Sequence, residues 1–509
     1  MSHFSQPSSM RWLQLAAACL TGLLIPLCFT GPAVVLPSIS ADLGGTATQL
    51  SWIMNAYILS YGGAVMVSGS LTDIYGRRRI WLLGLGWFCA VTFAIPFMPS
   101  VFWIDILRLL QGLGGAAAFA AAMTSLAPLF EGQARARAFS LLGTTFGLGL
   151  AFGPWVAGWI VEISNWQGVF YVTGAVGLVS IAMVMVMVST STTHENTSGA
   201  LDWPGAISFT LALGLFTYGM LLIPEKGWWD TTVISALVAS VVVFSVFVVI
   251  EKKVTKPMLD LSFFKQPSFV GVQALAASPA FLFIALIVVL PGRFIGIDGY
   301  SALQAGQMMV WLAAPLLVVP VIAAMLTRWF TPGALSGAGL IIVAMGLLWL
   351  AQAFAAEGAH QVQLPLLLIG IGIGLPWGLM DAMAVSVVNA DRVGMATGIF
   401  NTVRVSADGV AIAVVSVLLA TLIQQSLVLD VGALPAEAVI KGAGLAALGE
   451  LRAAAELLPG AEAALAHSYA ESFVHVLYAL AGLAVCVAIT VFLLLRGQGS
   501  ESTVAAERV

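Results

Sequence analysis

Apolar stretches long enough to cross a lipid bilayer recur along almost the whole chain. A helix covers a hydrocarbon layer of about 30 Å with about 20 apolar residues. Runs of that length lie near 13–38, 50–71, 80–98, 101–129, 138–161, 166–188, 203–223, 231–250, 268–291, 303–326, 334–354, 363–388, 394–423 and 472–495. They number fourteen, grouped as six, two and six. Of the 509 residues, 60% are hydrophobic and 9% charged, with a mean hydropathy of +1.01. A soluble domain carries about 25% charged residues, so this chain lacks the polar surface of a soluble enzyme or a disordered scaffold. The net charge of −4 offers no basic face for nucleic acid. The expected fold class is an all-α polytopic membrane protein. The run after Arg11 is too long for a cleaved signal peptide and lacks a small-residue cleavage site, so it reads as the first span.

Charge placement supports an even number of crossings. With the amino terminus cytoplasmic, the inner segments hold Arg11, Arg77, Arg78, Arg79, Arg135, Arg137, Lys252, Lys253, Lys256, Lys265, Arg328, Arg392, Arg496 and Arg508. The outer segments hold only Lys226, Arg293, Lys441 and Arg452, while Arg108 and Arg404 fall within spans. This is the positive-inside pattern, with both termini expected on the cytoplasmic side of a bacterial-type inner membrane. The expected organisation is a six-helix bundle over 1–188, a linker with two extra spans over 189–267, and a second six-helix bundle over 268–509. Residues 189–202 form a polar linker, and 425–470 form a long outer segment whose Ala443–Ala466 stretch is expected to be helical and to lie on the outer surface. Asn196-Thr197-Ser198 matches a glycosylation acceptor but falls on the cytoplasmic side. Cys19, Cys28, Cys89 and Cys486 lie in apolar runs and read as small core residues, not a disulfide or metal set.

The chain contains no GxxxxGK(S/T) phosphate loop and no HExxH, GxSxG or paired-cysteine motif. Transport energy, if transport is the task, would come from an ion gradient; no metal or cofactor is expected beyond that gradient. Three motifs carry more. Gly69-Ser70-Leu71-Thr72-Asp73-Ile74-Tyr75-Gly76-Arg77-Arg78-Arg79 joins the second and third runs. Its glycines let the backbone approach a neighbouring helix, and Asp73 can pair with Arg77 or cap a helix amino terminus. Arg108-Leu109-Leu110-Gln111-Gly112 places an arginine inside a span, at a cost of roughly 2.5–3.5 kcal/mol. Asp105, one turn earlier, can neutralise it, and a structural Asp105–Arg108 pair stands beside a functional reading. Gly149-Leu150-Ala151-Phe152-Gly153-Pro154-Trp155-Val156-Ala157-Gly158 combines close-packing glycines with a helix-bending proline.

These stretches resemble, in order, the GxLaDrxGrkxxl, RxxQG and GxxxGPxxGG signatures of the major facilitator superfamily. With fourteen spans, the chain is similar to the drug:proton antiporter branch. The resemblance implies two six-helix bundles plus two linker helices, a gate built on Gly69, Asp73, Gly76 and Arg77, and an antiporter motif of Gly149, Gly153, Pro154 and Gly158. It assigns Arg108 a part in proton coupling. Ile74 stands where the family usually has a base. Counting back from Leu36-Pro37, Cys28 stands where the branch often has an acid, which disfavours a lipophilic dication as main substrate.

In the second half, Asp381, Arg404 and Asp408 are ionisable residues within spans. Arg404 and Asp408 are four apart, about 6 Å along one helical face, and are expected to pair. The pair reads either as a coupling switch or as an inert ion pair. Asp381 either lines the inward cavity or faces water. Gln111, Asn401, Tyr57, Trp311 and Trp377 are candidates for a substrate cavity, with packing the alternative for the aromatic residues. Trp12, Trp52, Trp103, Trp166, Trp228 and Trp229 read as interfacial anchors, and Pro315, Pro320 and Pro376 as bends. The expected function is proton-coupled efflux of hydrophobic or amphipathic compounds by alternating access. The alternatives are an exporter of one endogenous metabolite or lipid, and a non-transporting scaffold or sensor. Expected partners are the small substrate, protons and the lipid bilayer, with the sequence silent on a periplasmic adaptor, but no nucleic acid.

Overall fold

The computed structural model describes residues 8–126, 129–130, 132–187, 202–254, 259, 261–356, 361–388, 393–431 and 435–495. The polar linker up to residue 201, the Asn196 acceptor, Lys256, Arg392, Arg496 and Arg508 lie outside these residues, as do the side chains of Asp73, Arg135 and Arg137. Everything described is helix or short connection. The first six helices are α1 (Ser8–Leu43), α2 (Ala47–Tyr75), α3 (Arg77–Ala94), α4 (Val101–Leu126), α5 (Gly132–Ile163) and α6 (Trp166–Met187). Two more follow, α7 (Trp203–Lys226) and α8 (Thr231–Lys253). The remainder are α9 (Pro267–Pro279), α10 (Ala285–Gly296), α11 (Ala302–Ala313), α12 (Val319–Leu326), α13 (Pro332–Ala355), α14 (Gln363–Trp377), α15 (Leu379–Ser386), α16 (Val393–Val431), α17 (Ala436–Ala447), α18 (Leu451–Leu457) and α19 (Glu462–Leu494).

Three of the later crossings are built from two pieces. A π-helical turn at Ala280–Ile284 joins α9 to α10 after Pro279, and a 3-10 turn at Ala314–Leu317 joins α11 to α12 at Pro315. Gly378 separates α14 from α15 two residues after Pro376. A proline removes one backbone donor and collides with the preceding turn, so the bends fall at these positions. Among the described residues, thirteen crossings are long and apolar enough to span a membrane. The second expected span is present as the 29-residue α2 but is not among those thirteen.

Short polar residues start the helices. Thr46 and Gln49 exchange side-chain and backbone hydrogen bonds at the start of α2, as Ser301 and Gln304 do at α11. Asp230 caps α8, and its bonds from the Thr232 side chain and amide hold this carboxyl below the usual carboxylate range. Gly76, with φ at +91°, makes the turn between α2 and α3 that a β-carbon would strain.

α1 to α6 pack on one another, chiefly α1 on α5, α2 on α4 and α3 on α4. α9 to α16 and α19 pack similarly, chiefly α13 on α14 and α19. α7 pairs with α8 and also touches both α2 and α16. The start of α1 and the end of α19 lie on one face, hereafter the terminal face; the opposite one is the far face.

Contacts between the two groups of helices run from the far face to mid-membrane. A β-carbon on Gly158 would meet Ala302 near the far face, and the last such contact along α5 is Gly147 against Leu316. On the far face Ser301 donates to Glu162, while the Thr48 amide ties α2 to Glu225 of α7 at 2.7 Å.

The outer segment departs from the expectation of a surface helix. α17 and α18 form a hairpin sunk between the two groups, with Val439, Ala443, Ala446, Ala447, Ala454 and Leu458 buried. Leu445 and Leu448 pack toward Val35, Leu36, Ile39 and Leu50 of α1 and α2. Gly444 lies against Pro224 and Ala47, and Gly449, at φ +84°, against Gly292. Small residues at these places allow the hairpin to pack backbone to backbone. Two further expectations change. Cys486 is exposed on the outward face of α19, whereas the other three cysteines are buried. Trp166 is buried because its indole donates to Asp42 at 2.9 Å, while Trp12, Trp103, Trp228 and Trp229 are exposed.

Candidate functional site

Two clusters of described polar groups within the spans lie on either side of an aromatic stack on α2. Arg108 of α4 is wholly enclosed. Its Nε donates to the Ile53 carbonyl at 2.7 Å, and its Nη1 donates to Gln111 Oε1 at 2.6 Å and Cys28 Sγ at 3.1 Å. Its guanidinium lies 4.5 Å from the Tyr57 ring centroid. Gln111 in turn donates to Thr92 Oγ1 at 2.6 Å. Each hydrogen bond to a charged group contributes about 1.5–3 kcal/mol, and a desolvated cation–π contact about 2 kcal/mol. Together these offset the cost of placing the cation there.

The expected Asp105–Arg108 pair does not close within 4 Å among the described residues, although the two remain within electrostatic reach. Asp105 Oδ1 and Arg108 Nη2 are both buried without partners. The guanidinium instead bonds Gln111 one turn on, the carbonyl of Ile53 on α2 and the thiol on α1. Cys28, at the position of the missing acid, thus stands beside the cation such an acid would have met. Gln111 and Tyr57 are also enclosed, so in this conformation they hold Arg108 and do not line an open cavity.

The second place lies on α14, α15 and α16. Arg404 does not pair with Asp408 within 4 Å among the described residues. Its Nη1 lies 3.7 Å from Asp381 Oδ1, and its guanidinium 4.8 Å from the Trp377 ring. Helical spacing allowed the pair on α16, but the break after Trp377 brings the ring and Asp381 of the neighbouring crossing to the same guanidinium. The Asp381 side chain is 57% exposed and that of Arg404 20%; Asp408 and Asn401 are half-buried. Trp311 is exposed, and Trp377 stacks edge-on to Phe283 at 5.9 Å.

Between the two places α2 crosses α16. A β-carbon on Gly62 would meet Val405 at 3.0 Å, so the helices touch at the residue between Arg404 and Ser406. Tyr61 sits at this crossing, within electrostatic reach of Arg404 and Asp408, and stacks on Tyr57 at 6.1 Å and 13°. Tyr61 thereby links the arginine of one half to the charges of the other. Sequence reasoning missed it; the four-residue spacing of Tyr57 and Tyr61 on α2 was the available signal.

The glycine motifs act through packing. Gly149 faces Pro26 and the Leu23 carbonyl of α1, and Gly153 faces Thr30. Gly158 and the Pro154 carbonyl meet Ala302 and Gly306 of α11. One helix is thus clamped to a neighbour in its own group and to one in the other. In the α2–α3 connection, Thr72 Oγ1 donates to the Gly69 carbonyl at 2.5 Å, Arg77 is exposed, and Arg78 donates to the Met185 carbonyl of α6 at 2.8 Å.

The family model described as Major Facilitator Superfamily matches residues 18–412. The tetracenomycin C resistance and export protein of Streptomyces glaucescens is 26% identical, over 81% of this chain and 76% of its own length. The cephamycin export protein of Amycolatopsis lactamdurans is 30% identical, over 77% and 81%. Among solved structures, a bacterial homologue of the human lysosomal transporter Spinster, inward-facing and unoccupied, superposes with a TM-score of 0.67 at 16% identity, covering 96% of this chain and 98% of its own.

Proposed function

Because the chain belongs to the major facilitator superfamily, we propose that it exports hydrophobic or amphipathic compounds, drugs or toxic solutes, across a cytoplasmic membrane in exchange for protons. The export direction and substrate class are supported by relatives named for antibiotic resistance and export. One observation carries the coupling: Asp408, Arg404 and Asp381 gather beside the α2–α16 crossing, where the two halves meet. All contacts between the halves described above lie from that level to the far face. With the terminal face cytoplasmic, this conformation opens inward.

The geometry suggests how charge state and conformation are tied. In the inward form Arg404 is held by Asp381 and Trp377, leaving Asp408 as the group able to take a proton. A proton from the far side neutralises Asp408 and removes its pull on Arg404. Its release toward the cytoplasm lets Asp408 compete with Asp381 for the same guanidinium, so proton and cargo act on one local charge balance. Opening the far face breaks Ser301–Glu162 and lifts the hairpin from α1 and α2.

The test is transport driven by an imposed pH gradient in proteoliposomes. Wild-type protein should release protons when substrate is added, and Asp408→Asn should not. Unchanged activity in Arg108→Ala, Asp381→Asn and Asp408→Asn alike would end the coupling reading. Several relatives are named for a single antibiotic, which favours a narrow substrate range as the second reading. Efflux of only one compound from a dye and antibiotic panel would support that version.

A further inference from the structure

Asn55 of α2 is wholly enclosed, yet only one end of its amide is bonded. Its Nδ2 donates to the Ser51 carbonyl at 3.0 Å, while Oδ1 is buried without a partner. The Ser51 carbonyl can only accept, which fixes which end of the amide is nitrogen. The oxygen faces across the α2–α16 crossing. It lies 4.0 Å from where a β-carbon on Gly409 would stand, and Ile58 Cγ2 lies 3.6 Å from the same point. Gly409 has no side chain to donate, and its amide is committed to the preceding turn of the unbroken α16. The facing helix repeats the pattern: Ser406, one turn earlier, is buried and its hydroxyl has no partner. One seam therefore carries an unmatched polar group from each half.

An unbonded carbonyl oxygen is destabilising only while it is dry; water restores its hydrogen bonds. Asn55 precedes Gly62 by seven residues, about 10 Å toward the far face at 1.5 Å per residue. It thus sits in the part of the seam that is closed here. Further along, Trp52 packs into a cluster that includes Ala413 and Val417 of α16. On the alternating-access reading given above, on which this inference rests, that part of the seam parts when the far face opens. The inward form dries the Asn55 oxygen and the outward form wets it. We propose that Asn55 is a counterweight built into the seam: its unmatched carbonyl oxygen disfavours the closed far face and holds the two forms near balance. A ligand shifts an equilibrium only by its differential affinity for the two states. A seam of apolar side chains throughout would close too firmly for a proton or cargo to reopen.

The test measures the two forms directly, by electron–electron resonance between spin labels in full-length protein reconstituted without a gradient. Labels at Phe97→Cys and Leu364→Cys, exposed far-face positions on opposite halves, report the opening in a Cys486→Ser background. At a pH where wild type shows both short and long distances, Asn55→Leu should raise the short-to-long ratio about tenfold, the equivalent of ~1.4 kcal/mol. Gly409→Ser should shift the ratio the same way by another route. Its β-carbon meets only ordinary contacts, and its hydroxyl supplies the donor that Asn55 lacks. Gly409→Ala, which adds the carbon without the donor, should shift the ratio less than ~threefold, about 0.6 kcal/mol. Should Asn55→Leu fail to fold, the two Gly409 variants carry the test. Equal ratios in Gly409→Ser and Gly409→Ala, or a wild-type ratio in Asn55→Leu, overturn the proposal. So does an ordered water bonded to Asn55 Oδ1 in an inward-facing crystal structure. Each of these results leaves the coupling role of Asp408 standing. A wild type that never leaves the short distance at any pH overturns the alternating-access reading, and this inference with it.

Discussion

Arg108 and Arg404 are both arginines on membrane helices, yet they are held in opposite ways. Arg108 has no exposure, three hydrogen-bond acceptors and a ring beneath it. Arg404 is 20% exposed, has one carboxylate at 3.7 Å and a ring at 4.8 Å, and has a second carboxyl group, Asp408, on the next turn of its own helix. The first environment fixes a charge; the second leaves a charge with a choice of partners. Two-state exchange needs the second kind, and a rigid body to rock against needs the first. The Tyr57–Tyr61 stack runs along α2 between the two sites.

The sharpest way to break this contrast is Arg108→Ala. It should destabilise the protein by about 3–5 kcal/mol, because Gln111 and the Ile53 carbonyl lose their partner in a dry interior, and abolish transport. Thermal unfolding in detergent and reconstituted flux measure the two effects. Asp408→Asn should leave the unfolding temperature within a few degrees of wild type. It should still lower gradient-driven flux at least ~tenfold, the effect of about 1.4 kcal/mol of lost coupling. If Asp408→Asn unfolds the protein as readily as Arg108→Ala, the two halves are not held differently.

A third effect, of up to about 2 kcal/mol, comes from the hairpin outside the spans. Burial pushes the Glu450 carboxyl up to about 6, against the lowering effect of a hydrogen bond from Ser40. A carboxyl raised in the packed state binds its proton more tightly there than when exposed. The hairpin's packing is therefore fully favoured below about pH 4.5 and weakens as pH rises through about 6. Hydrogen exchange over 436–457 should accelerate between those values, and Glu450→Gln should flatten the profile. The smallest effects belong to the exposed side of the second site. Trp377→Ala should cost about 1 kcal/mol of cation–π contact. Asp381→Asn should cost at most about 1 kcal/mol of stability, since its carboxylate is more than half exposed. A larger loss in thermal unfolding would mean that Arg404 is as tightly fixed as Arg108.

Much of this was legible in the residues. Run length gave the crossings, and glycine spacing around Pro154 foretold close packing on one side; the second side, against α11, emerged from the fold. A lone arginine before Gln111 announced a buried cation, because periodicity and burial cost act along one helix. What escaped depended on other helices. Asp105 was the nearest acid to Arg108 in sequence, yet a carbonyl on α2 and a thiol on α1 took its place. Asp408 was the nearest acid to Arg404, yet a break at Gly378 delivered Asp381 from another crossing. Arg293 looked like a loop charge because it lies just past the apolar run that ends at Pro291. The proline lies within α10, which runs on to Gly296 and carries Arg293, buried, over the Phe354 and Phe473 rings.

α7 touches both α2 and α16, while its partner α8 turns Val238, Val241, Val242 and Phe244 outward. Neither half can tilt without dragging this greasy outrigger sideways through the surrounding acyl chains. The thickness and fluidity of the host bilayer thus enter the work of every turnover, and the same polypeptide should run at different speeds in stiff and soft membranes.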